Sequence, residues 1–327
     1  MVFSVLDEDF WTHKSLLNHN NEIGLCQTLM SMPENTEFLV VEMGMRGFGE
    51  IELLSKYAEP DFAIITNVGT AHIGRLGSLE NIAKAKCEIV KYLKPDGILI
   101  AFDDYLIKSF CEYSGRKIFY GKNYKILETT ENSIKFIYDK NEYELAVNGE
   151  FNVINSIAAI EIGKLAGISI EKIRHGLLKY KPVGERGRVI NLDKNIKIIA
   201  DCYNANPDSM KASINSVIST YPDSKITLVL GDMGELGEYE NQMHKEIGTF
   251  LSDKSFSQLV TVGEKAKLIA ESTKNQNIKI KTFMNNTEAL NYLKNNLSEN
   301  SLVLLKASRS MKFEEIAQEL QKVKTEV

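Results

Sequence analysis

Short apolar runs alternate along the chain with segments whose apolar residues recur at helical spacing. In the first half, Phe38–Val41, Phe62–Val68 and Ile98–Phe102 are apolar on both faces, which is typical of central strands in a parallel sheet. Residues 78–93 repeat apolar positions every three or four residues behind Ser78, a suitable N-cap, and predict a helix. Residues 134–147 alternate around a polar turn and predict a β-hairpin.

The same alternation begins again after a break at residues 182–187. Two glycines and a proline lie within these six residues, which makes them the best candidate for a linker. The strands predicted after it are Ile196–Ala200, Ile226–Leu230, Leu259–Val262, Ile278–Lys281 and Leu302–Leu305, each followed by a helical pattern. Alternation at this period predicts a doubly wound parallel sheet. We therefore expect an α/β protein with two domains, residues 1–183 and 184–327.

Composition agrees with a globular protein and excludes several classes. The chain has 327 residues, 43% hydrophobic and 25% charged, which is ordinary for folded domains and unlike a collagen, a coiled coil or a disordered tail. Its net charge of −5 argues against nucleic-acid binding by bulk electrostatics. No apolar run approaches ~18 residues, so we predict no membrane span. Four widely spaced cysteines without a C-x-x-C motif favour reduced thiols, and we predict a cytoplasmic location.

Three residues in the first half stand where an α/β fold binds ligands. Glu42 follows one predicted strand, and His72 ends the polar stretch after the next, near the carboxyl ends of the strands. Each has an ordinary interpretation as well, as a solvated turn carboxylate or a loop histidine. Lys86, on the following helix, is either a solvated surface lysine or a neutral amine that reacts with CO2. The resulting carbamate is an oxygen ligand for a hard cation such as Mg²⁺.

Further polar clusters leave two interpretations open in each case. Asn152 and Asn155 begin a helix, where they either read a purine edge or cap the helix. Residues 201–207 form a ligand loop or an Asn-rich turn closed by Pro207. Residues 231–237 contain three glycines and allow close backbone approach, or form a plain flexible loop. Lys306 and Arg309 clamp a carboxylate or are surface cations.

Taken together and in order, these motifs resemble those of the Mur ligases, which use ATP to join amino acids to the peptidoglycan precursor. The resemblance covers essentially the whole chain and is strongest to the members that add D-alanyl-D-alanine. The matching stretches are N-H-N-N-E-I-G at 18–24, E-M-G at 42–44, G-E-I at 49–51, N-V-G-T-A-H at 67–72, I-A-K-A-K-C-E-I at 82–89, D-C-Y-N-A-N at 201–206, G-D-M-G-E-L at 231–236 and K-A-S-R-S at 306–310.

The resemblance implies a truncated central ATPase-type parallel sheet with helices, followed by a Rossmann-like doubly wound domain. It also implies the cofactors ATP and Mg²⁺, and UDP-N-acetylmuramoyl-tripeptide and D-alanyl-D-alanine as substrates. The implied catalytic residues and Mg²⁺ ligands are Glu42, His72 and Lys86, the last as a CO2-derived carbamate. The implied nucleotide contacts are Asn152, Asn155, Arg188, Asp201, Tyr203, Asn204 and Asn206. The implied dipeptide contacts are Lys306, Ser308 and Arg309.

Two residues and one missing motif depart from the family pattern. Phe151 stands where the family often has histidine, and Ala307 replaces the usual glycine. The phosphate loop G-x-x-G-K-[ST] occurs nowhere in these residues, although in the family it binds the ATP phosphates through its backbone amides and lysine. We therefore expect an N-terminally truncated ligase with impaired activity, unless a separate chain supplies the loop.

Two other functions are alternatives to this ligase. A fragment or pseudoenzyme that binds nucleotide or a partner without turnover is the alternative from a non-enzyme class. A nicotinamide-dependent oxidoreductase is suggested only by the α/β pattern. It is disfavoured because the G-x-G-x-x-G fingerprint is absent.

Overall fold

The computed structural model describes residues 1–182 and 186–322. The chain divides into two compact units, Met1–Lys181 and Pro182–Val327. The predicted domain boundary, between 183 and 184, lies outside the described residues. Among the helices of the described residues, none is both long enough and apolar enough to cross a membrane.

Eight helices and eight strands make up the described part of the first unit. The helices are α1 (Val2–Leu6), α2 (Glu22–Met30), α3 (Glu50–Ala58), α4 (Ile73–Leu76), α5 (Leu79–Cys87), α6 (Tyr105–Phe110), α7 (Glu150–Leu165) and α8 (Ile170–Lys179). The strands are β1 (Thr12–Lys14), β2 (Phe38–Val40), β3 (Phe62–Ile65), β4 (Ile98–Phe102), β5 (Arg116–Tyr120), β6 (Tyr124–Thr129), β7 (Ile134–Tyr138) and β8 (Asn141–Leu145). A 3-10 turn, Glu88–Tyr92, continues directly from α5.

The parallel strands of this unit are divided between two sheets. Strands β1 and β2 form a parallel pair, and β3, β4 and β5 form a separate parallel sheet in that order. Strands β6, β7 and β8 form the predicted antiparallel hairpin with one extra strand. One core joins these layers, because α7 contributes Val153 and Ile157 and the hairpin contributes Phe136 and Tyr143.

Helix α1 is fixed against α7 and α8 at two glycines. A side chain at Gly176 would begin 2.4 Å from the Ser4 carbonyl oxygen and 2.7 Å from the Val5 Cα. A side chain at Gly163 would begin 2.8 Å from the Val5 Cγ1 atom. Any larger residue at either glycine must displace α1, so these two positions hold residues 2–6 in the core.

The second unit is a six-stranded sheet with helices between its strands. Its strands are β9 (Arg186–Asn191), β10 (Lys197–Asp201), β11 (Lys225–Gly231), β12 (Gln258–Val262), β13 (Lys279–Phe283) and β14 (Ser301–Lys306). Its helices are α9 (Pro207–Thr220), α10 (Glu240–Leu251), α11 (Lys267–Ser272), α12 (Asn286–Asn296) and α13 (Phe313–Lys322). The strand order is β13-β12-β11-β14-β10-β9, and all pairs are parallel except β9 with β10.

This order confirms the predicted doubly wound architecture. The chain runs outward from β11 to β13 and returns to place β14 between β11 and β10, so the carboxyl ends of five neighbouring parallel strands share one edge. The antiparallel edge strand β9 was not predicted. Its alternation of apolar and polar residues is interrupted by arginines and a glycine. An edge strand also has a neighbouring strand on one side only, so it needs fewer buried apolar residues.

Candidate functional site

The carboxylate of Glu42 lies in the loop directly after β2. It is exposed, and its Oε1 accepts a hydrogen bond from Asn20 Nδ2 at 3.2 Å. The same asparagine accepts the Gly44 amide through its backbone oxygen at 2.7 Å. A side chain at Gly44 would begin 2.8 Å from Asn20 Nδ2, so only glycine lets the two loops approach this closely. The 18–24 stretch therefore holds the Glu42 loop in place.

His72 occupies the N-cap position of the short helix α4. Its backbone is left-handed, with φ 63°, a conformation in which histidine is more common than most residues other than glycine. The side chain is half-buried. Its position after β3 is the one predicted, and the unusual backbone fixes where the imidazole leaves the chain.

Lys86 lies on α5 with its amine directed at the end of β3. Nζ donates to the backbone oxygen of Asn67 at 2.8 Å and lies 3.4 Å from the side-chain oxygen of the same residue. Both acceptors are neutral, and the ion pairs among the described residues do not include Lys86. Burial therefore lowers the pKa of the Lys86 amine. The neutral amine is the form that reacts with CO2.

Glu88, two residues beyond Lys86, has a buried carboxylate that sequence reasoning did not single out. Both of its oxygens accept the Gly49 amide at 2.9 Å, and Oε2 also accepts the Glu52 amide at 3.3 Å. These amides belong to the N-terminal turn of α3, whose N–H groups lack helical partners. The carboxylate thus joins the Lys86 segment to the loop that begins at Glu42.

The side chains of Glu42 and His72 suit Mg²⁺ only if a further oxygen ligand joins them. No group of three or more His, Cys, Asp and Glu side chains within the described ranges is arranged to hold a metal ion. Glu42 and His72 offer one carboxylate and one imidazole. A carbamate on Lys86 would add the anionic oxygen that magnesium prefers, and with it the chemistry of the three side chains would fit the ion.

The two asparagines of α7 have different surroundings. Asn152 is 8% exposed, and its Nδ2 donates to the backbone oxygen of Asn148 at 2.7 Å. Asn155 is exposed. The Asn152 amide therefore binds the turn before the helix but does not cap it, because the N-cap residue is Gly149 and no side chain accepts a helix N–H there, while the Asn155 amide faces solvent.

A buried ion pair lies at the carboxyl end of β10 and β14 in the second unit. Lys306 is 2% exposed, and its Nζ donates to Asp201 Oδ2 at 2.7 Å and to the backbone oxygen of Asn204 at 3.2 Å. Ser213 Oγ donates to the same Asp201 oxygen at 2.5 Å. The structure thus brings together Asp201, Asn204 and Lys306, which the family resemblance had divided between ATP and the dipeptide.

The remaining residues of the 201–206 loop have local roles and one long-range partner. Asn206 caps α9 in a capping box with Ser209, as the turn interpretation predicts. The Tyr203 ring lies 5.9 Å from the Arg309 guanidinium carbon, which is a cation–π distance. Arg309 is exposed and also lies 3.7 Å from Glu314. Arg188, on the edge strand β9, is exposed.

The glycine-rich loop after β11 is held at several points rather than free. The Gly234 amide donates to Ser308 Oγ at 2.5 Å, and the Met233 amide donates to His244 Nε2 at 2.9 Å. Asp232 Oδ1 accepts the Ala266 amide at 2.6 Å. The hydroxyl of Ser308, predicted to lie near the dipeptide, is therefore an acceptor for this loop. The Ala307 methyl fits because Gly231, against which it lies, has no side chain.

His244 is fully buried in its neutral form. Its Nε2 accepts a backbone N–H, so its proton is on Nδ1, which donates to the Glu240 oxygen at 2.7 Å. Burial lowers the pKa of this imidazole. The sequence offered no signal for the role, because a histidine inside an amphipathic helix pattern looks the same whether it is exposed or buried.

The sequence and fold of this chain match a known family. A profile of the Mur ligase middle domain matches residues 1–163, and a profile described as the Mur ligase, glutamate ligase domain matches residues 185–309. The chain belongs to the Mur ligase family of ATP-dependent, amide-bond-forming ligases, which confirms the resemblance identified from its motifs.

Individual relatives are similar over nearly the whole chain. The UDP-N-acetylmuramoyl-tripeptide–D-alanyl-D-alanine ligase of Bacillus subtilis is 40% identical over 333 residues, which cover 98% of this chain and 72% of that relative. A crystal structure of MurF from Acinetobacter baumannii has a TM-score of 0.89 at 28% identity, covering 98% of this chain and 73% of that one. MurF from Thermotoga maritima in complex with ADP has a TM-score of 0.85 at 25% identity, covering 98% and 75%.

Proposed function

We propose that this chain forms the amide bond between UDP-N-acetylmuramoyl-tripeptide and D-alanyl-D-alanine with ATP as the energy source. The environment of Lys86 is the observation that carries the proposal: its amine is half-buried, and its acceptors among the described residues are two neutral oxygens of Asn67. The 40% identity to a ligase of that name supports the choice of substrates. A cytoplasmic location stays a prediction.

The chemistry begins with a carboxylate, which is a poor electrophile. An oxygen of the tripeptide carboxylate attacks the γ-phosphorus of ATP, ADP leaves, and an acyl phosphate forms. The amine of D-alanyl-D-alanine attacks the acyl carbon, and the tetrahedral intermediate collapses with loss of phosphate and of the amine proton. Bound Mg²⁺ supplies charge neutralisation at the phosphates.

Glu42, His72 and carbamylated Lys86 are proposed to hold that ion. The neutral Lys86 amine attacks CO2, one N–C bond forms and one proton leaves to solvent, so a basic side chain becomes an anion. Burial favours this reaction because it disfavours the competing ammonium form. Asn67 then accepts the remaining N–H and orients the group.

The residues that follow the strands of the second unit are proposed to serve the nucleotide and the dipeptide. Arg309 is exposed beside Tyr203, so its planar guanidinium is available to pair with the dipeptide carboxylate. Lys306 is enclosed by Asp201 and Asn204, and we assign it to holding that loop rather than to touching the dipeptide. Asn152, Asn155, Arg188 and Asn206 remain proposed nucleotide contacts.

A protein that binds nucleotide without turnover is the second candidate. These 327 residues do not contain the motif G-x-x-G-K-[ST], so the lysine and glycine amides of that loop are not supplied by the residues given. A separate chain carrying the loop would supply them.

The test is a ligation assay with UDP-N-acetylmuramoyl-tripeptide, D-alanyl-D-alanine, ATP and Mg²⁺. The chain is assayed alone and together with a polypeptide that carries the phosphate loop, and the product is identified by mass. We expect product only in the second case. Nucleotide binding without product in both cases would favour the second candidate.

The role of Lys86 is tested in the same assay. Lys86→Ala should reduce ligation by roughly 10²-fold or more, because a ligand of the phosphate-neutralising ion is lost, and added bicarbonate should not restore it. Lys84→Ala is the matched control, since Lys84 is exposed on the same helix. Full activity of Lys86→Ala would contradict the carbamate assignment.

A further inference from the structure

The loop formed by residues 43–49 connects Glu42 to α3 and is fixed at three backbone amides. The Gly44 amide is bound by the Asn20 oxygen, and the Arg46 amide by Glu50 Oε2 at 2.6 Å. The third amide, that of Gly49, is bound by both oxygens of Glu88. This last point of fixation comes from the segment that carries Lys86.

The charge and the position of the Glu88 carboxylate both suit it to bind the Gly49 amide. It is 7% exposed, and a buried carboxylate persists only where donors replace its water. The first turn of α3 provides such donors, together with the positive end of the helix dipole. Gly49 itself has φ +83°, which turns its N–H toward the carboxylate and which residues with a side chain rarely adopt.

We propose that Glu88 is a positioning residue that holds the 43–49 loop, and through it Glu42, at a set place relative to Lys86. It touches no reacting atom and acts only through the backbone of the loop. The inference rests on the proposed function, in which Glu42 and Lys86 serve the same Mg²⁺ ion. The magnesium requirement of the reaction is therefore the property that Glu88 controls.

The structural part of the proposal is tested by amide hydrogen exchange of the full chain. Glu88→Gln keeps the size of the side chain but replaces one acceptor oxygen by an N–H donor that faces Gly49. We expect exchange in residues 43–53 to accelerate about tenfold or more, with exchange in β4 unchanged. Equal acceleration throughout the first unit would overturn the proposal, since Glu88 would then only stabilise the fold.

Two variants control for loss of stability in the same place. Ser55→Ala removes a different bond between α3 and the 3-10 turn, Ser55 Oγ to the Ile89 oxygen at 2.7 Å, without touching Gly49. Lys91→Gln breaks an exposed ion pair to Glu52 on the same surface. Neither should alter exchange at residues 43–49 by more than twofold.

The functional part is tested in the ligation assay with the phosphate loop supplied. Glu88→Gln should raise the Mg²⁺ concentration for half-maximal rate about tenfold while the KM for D-alanyl-D-alanine stays unchanged, and Ser55→Ala should change neither. A local exchange effect with an unaltered Mg²⁺ requirement would overturn the positioning role. Absence of ligation by the unmodified chain would instead contradict the proposed function, and the exchange result would still decide whether Glu88 orders the loop.

Discussion

Two lysines, one in each unit, show how the partner of an amine decides its chemistry: Lys306 is buried and Lys86 is half-buried. Lys306 meets the carboxylate of Asp201, whereas the acceptors of Lys86 among the described residues are the neutral oxygens of Asn67. Both lie beside the carboxyl end of a parallel strand. The first has a counter-ion that stabilises the ammonium, and the second loses water without gaining one, so its pKa falls.

Position in the fold and residue type therefore do not assign a role by themselves. Sequence motifs placed Lys306 near a substrate and Lys86 near a metal, on equal grounds. Contacts made by the folded chain separate them, because a carboxylate partner stabilises the ammonium form of Lys306, whereas burial beside neutral oxygens lowers the pKa of Lys86 and favours its neutral amine.

The largest effect is expected for carbamate formation itself. With ¹³C-labelled bicarbonate, the chain should show a carbamate resonance in its NMR spectrum that Lys86→Met abolishes. Lys306→Met and Lys84→Met should retain it. A resonance that survives in Lys86→Met would show that another amine is modified. It would contradict the difference in reactivity between Lys86 and Lys306.

The next largest effect is expected on stability, when Lys306, the counter-ion of Asp201, is removed. Lys306→Met should lower the free energy of unfolding of the second unit by about 3–5 kcal/mol, because a largely buried carboxylate loses its partner. Urea denaturation measures this. Adding Asp201→Asn should recover a large part of the loss, and an equally unstable double variant would argue against a coupled pair.

A smaller change should make Lys86 resemble Lys306. Asn67→Asp places a carboxylate where the amide oxygen lies 3.4 Å from Lys86 Nζ. The ammonium is then stabilised, so carbamate occupancy at pH 7 should fall roughly tenfold. The labelled-bicarbonate spectrum measures the occupancy, and an undiminished resonance would show that the neutral partner is not what makes Lys86 reactive.

His244 provides the smallest effect, as a buried base in the second unit with neutral partners. Its lowered pKa means that the unfolded chain binds the proton more readily than the folded chain. The contribution to stability is complete above the unfolded value of about 6.5 and is lost as pH falls from there through the lowered folded pKa. Nearby Asp232 and Glu240 oppose the effect of burial and keep the change small.

Denaturation between pH 7.5 and 5 measures this pH dependence. His244→Gln keeps an acceptor for the Met233 amide but does not titrate, so its stability should fall less steeply with acid than that of the unmodified chain. Identical slopes would show that His244 is not responsible.

The pattern of apolar and polar residues within short segments predicted the strands and helices that depend on neighbouring residues. Strands β4 and β7 begin and end where the apolar runs do, and the helix over 78–93 is α5 with its 3-10 continuation. The polar residues after strands were found for the same reason, since a buried run that stops abruptly marks a strand end. These features need only a few neighbouring residues to be recognised.

Contacts between distant residues could not be predicted in this way. Glu88 binds an amide 39 positions earlier, and Asp201 pairs with a lysine 105 positions later. Neither pairing leaves a local trace, because any acidic residue near a helix end looks solvated in a single sequence. The contact between Ser308 and Gly234 was missed for the same reason.

The packing of α1 against Gly163 and Gly176 affects how the chain folds during its synthesis on the ribosome. Residues 2–6 are made long before the two helices that receive them, since some 170 residues separate the partners. At about 5–20 residues per second, translation leaves this segment waiting for roughly 10–30 s. Val5 and Leu6, both buried in the finished unit, are exposed during that interval and are natural targets for a chaperone that binds nascent apolar segments.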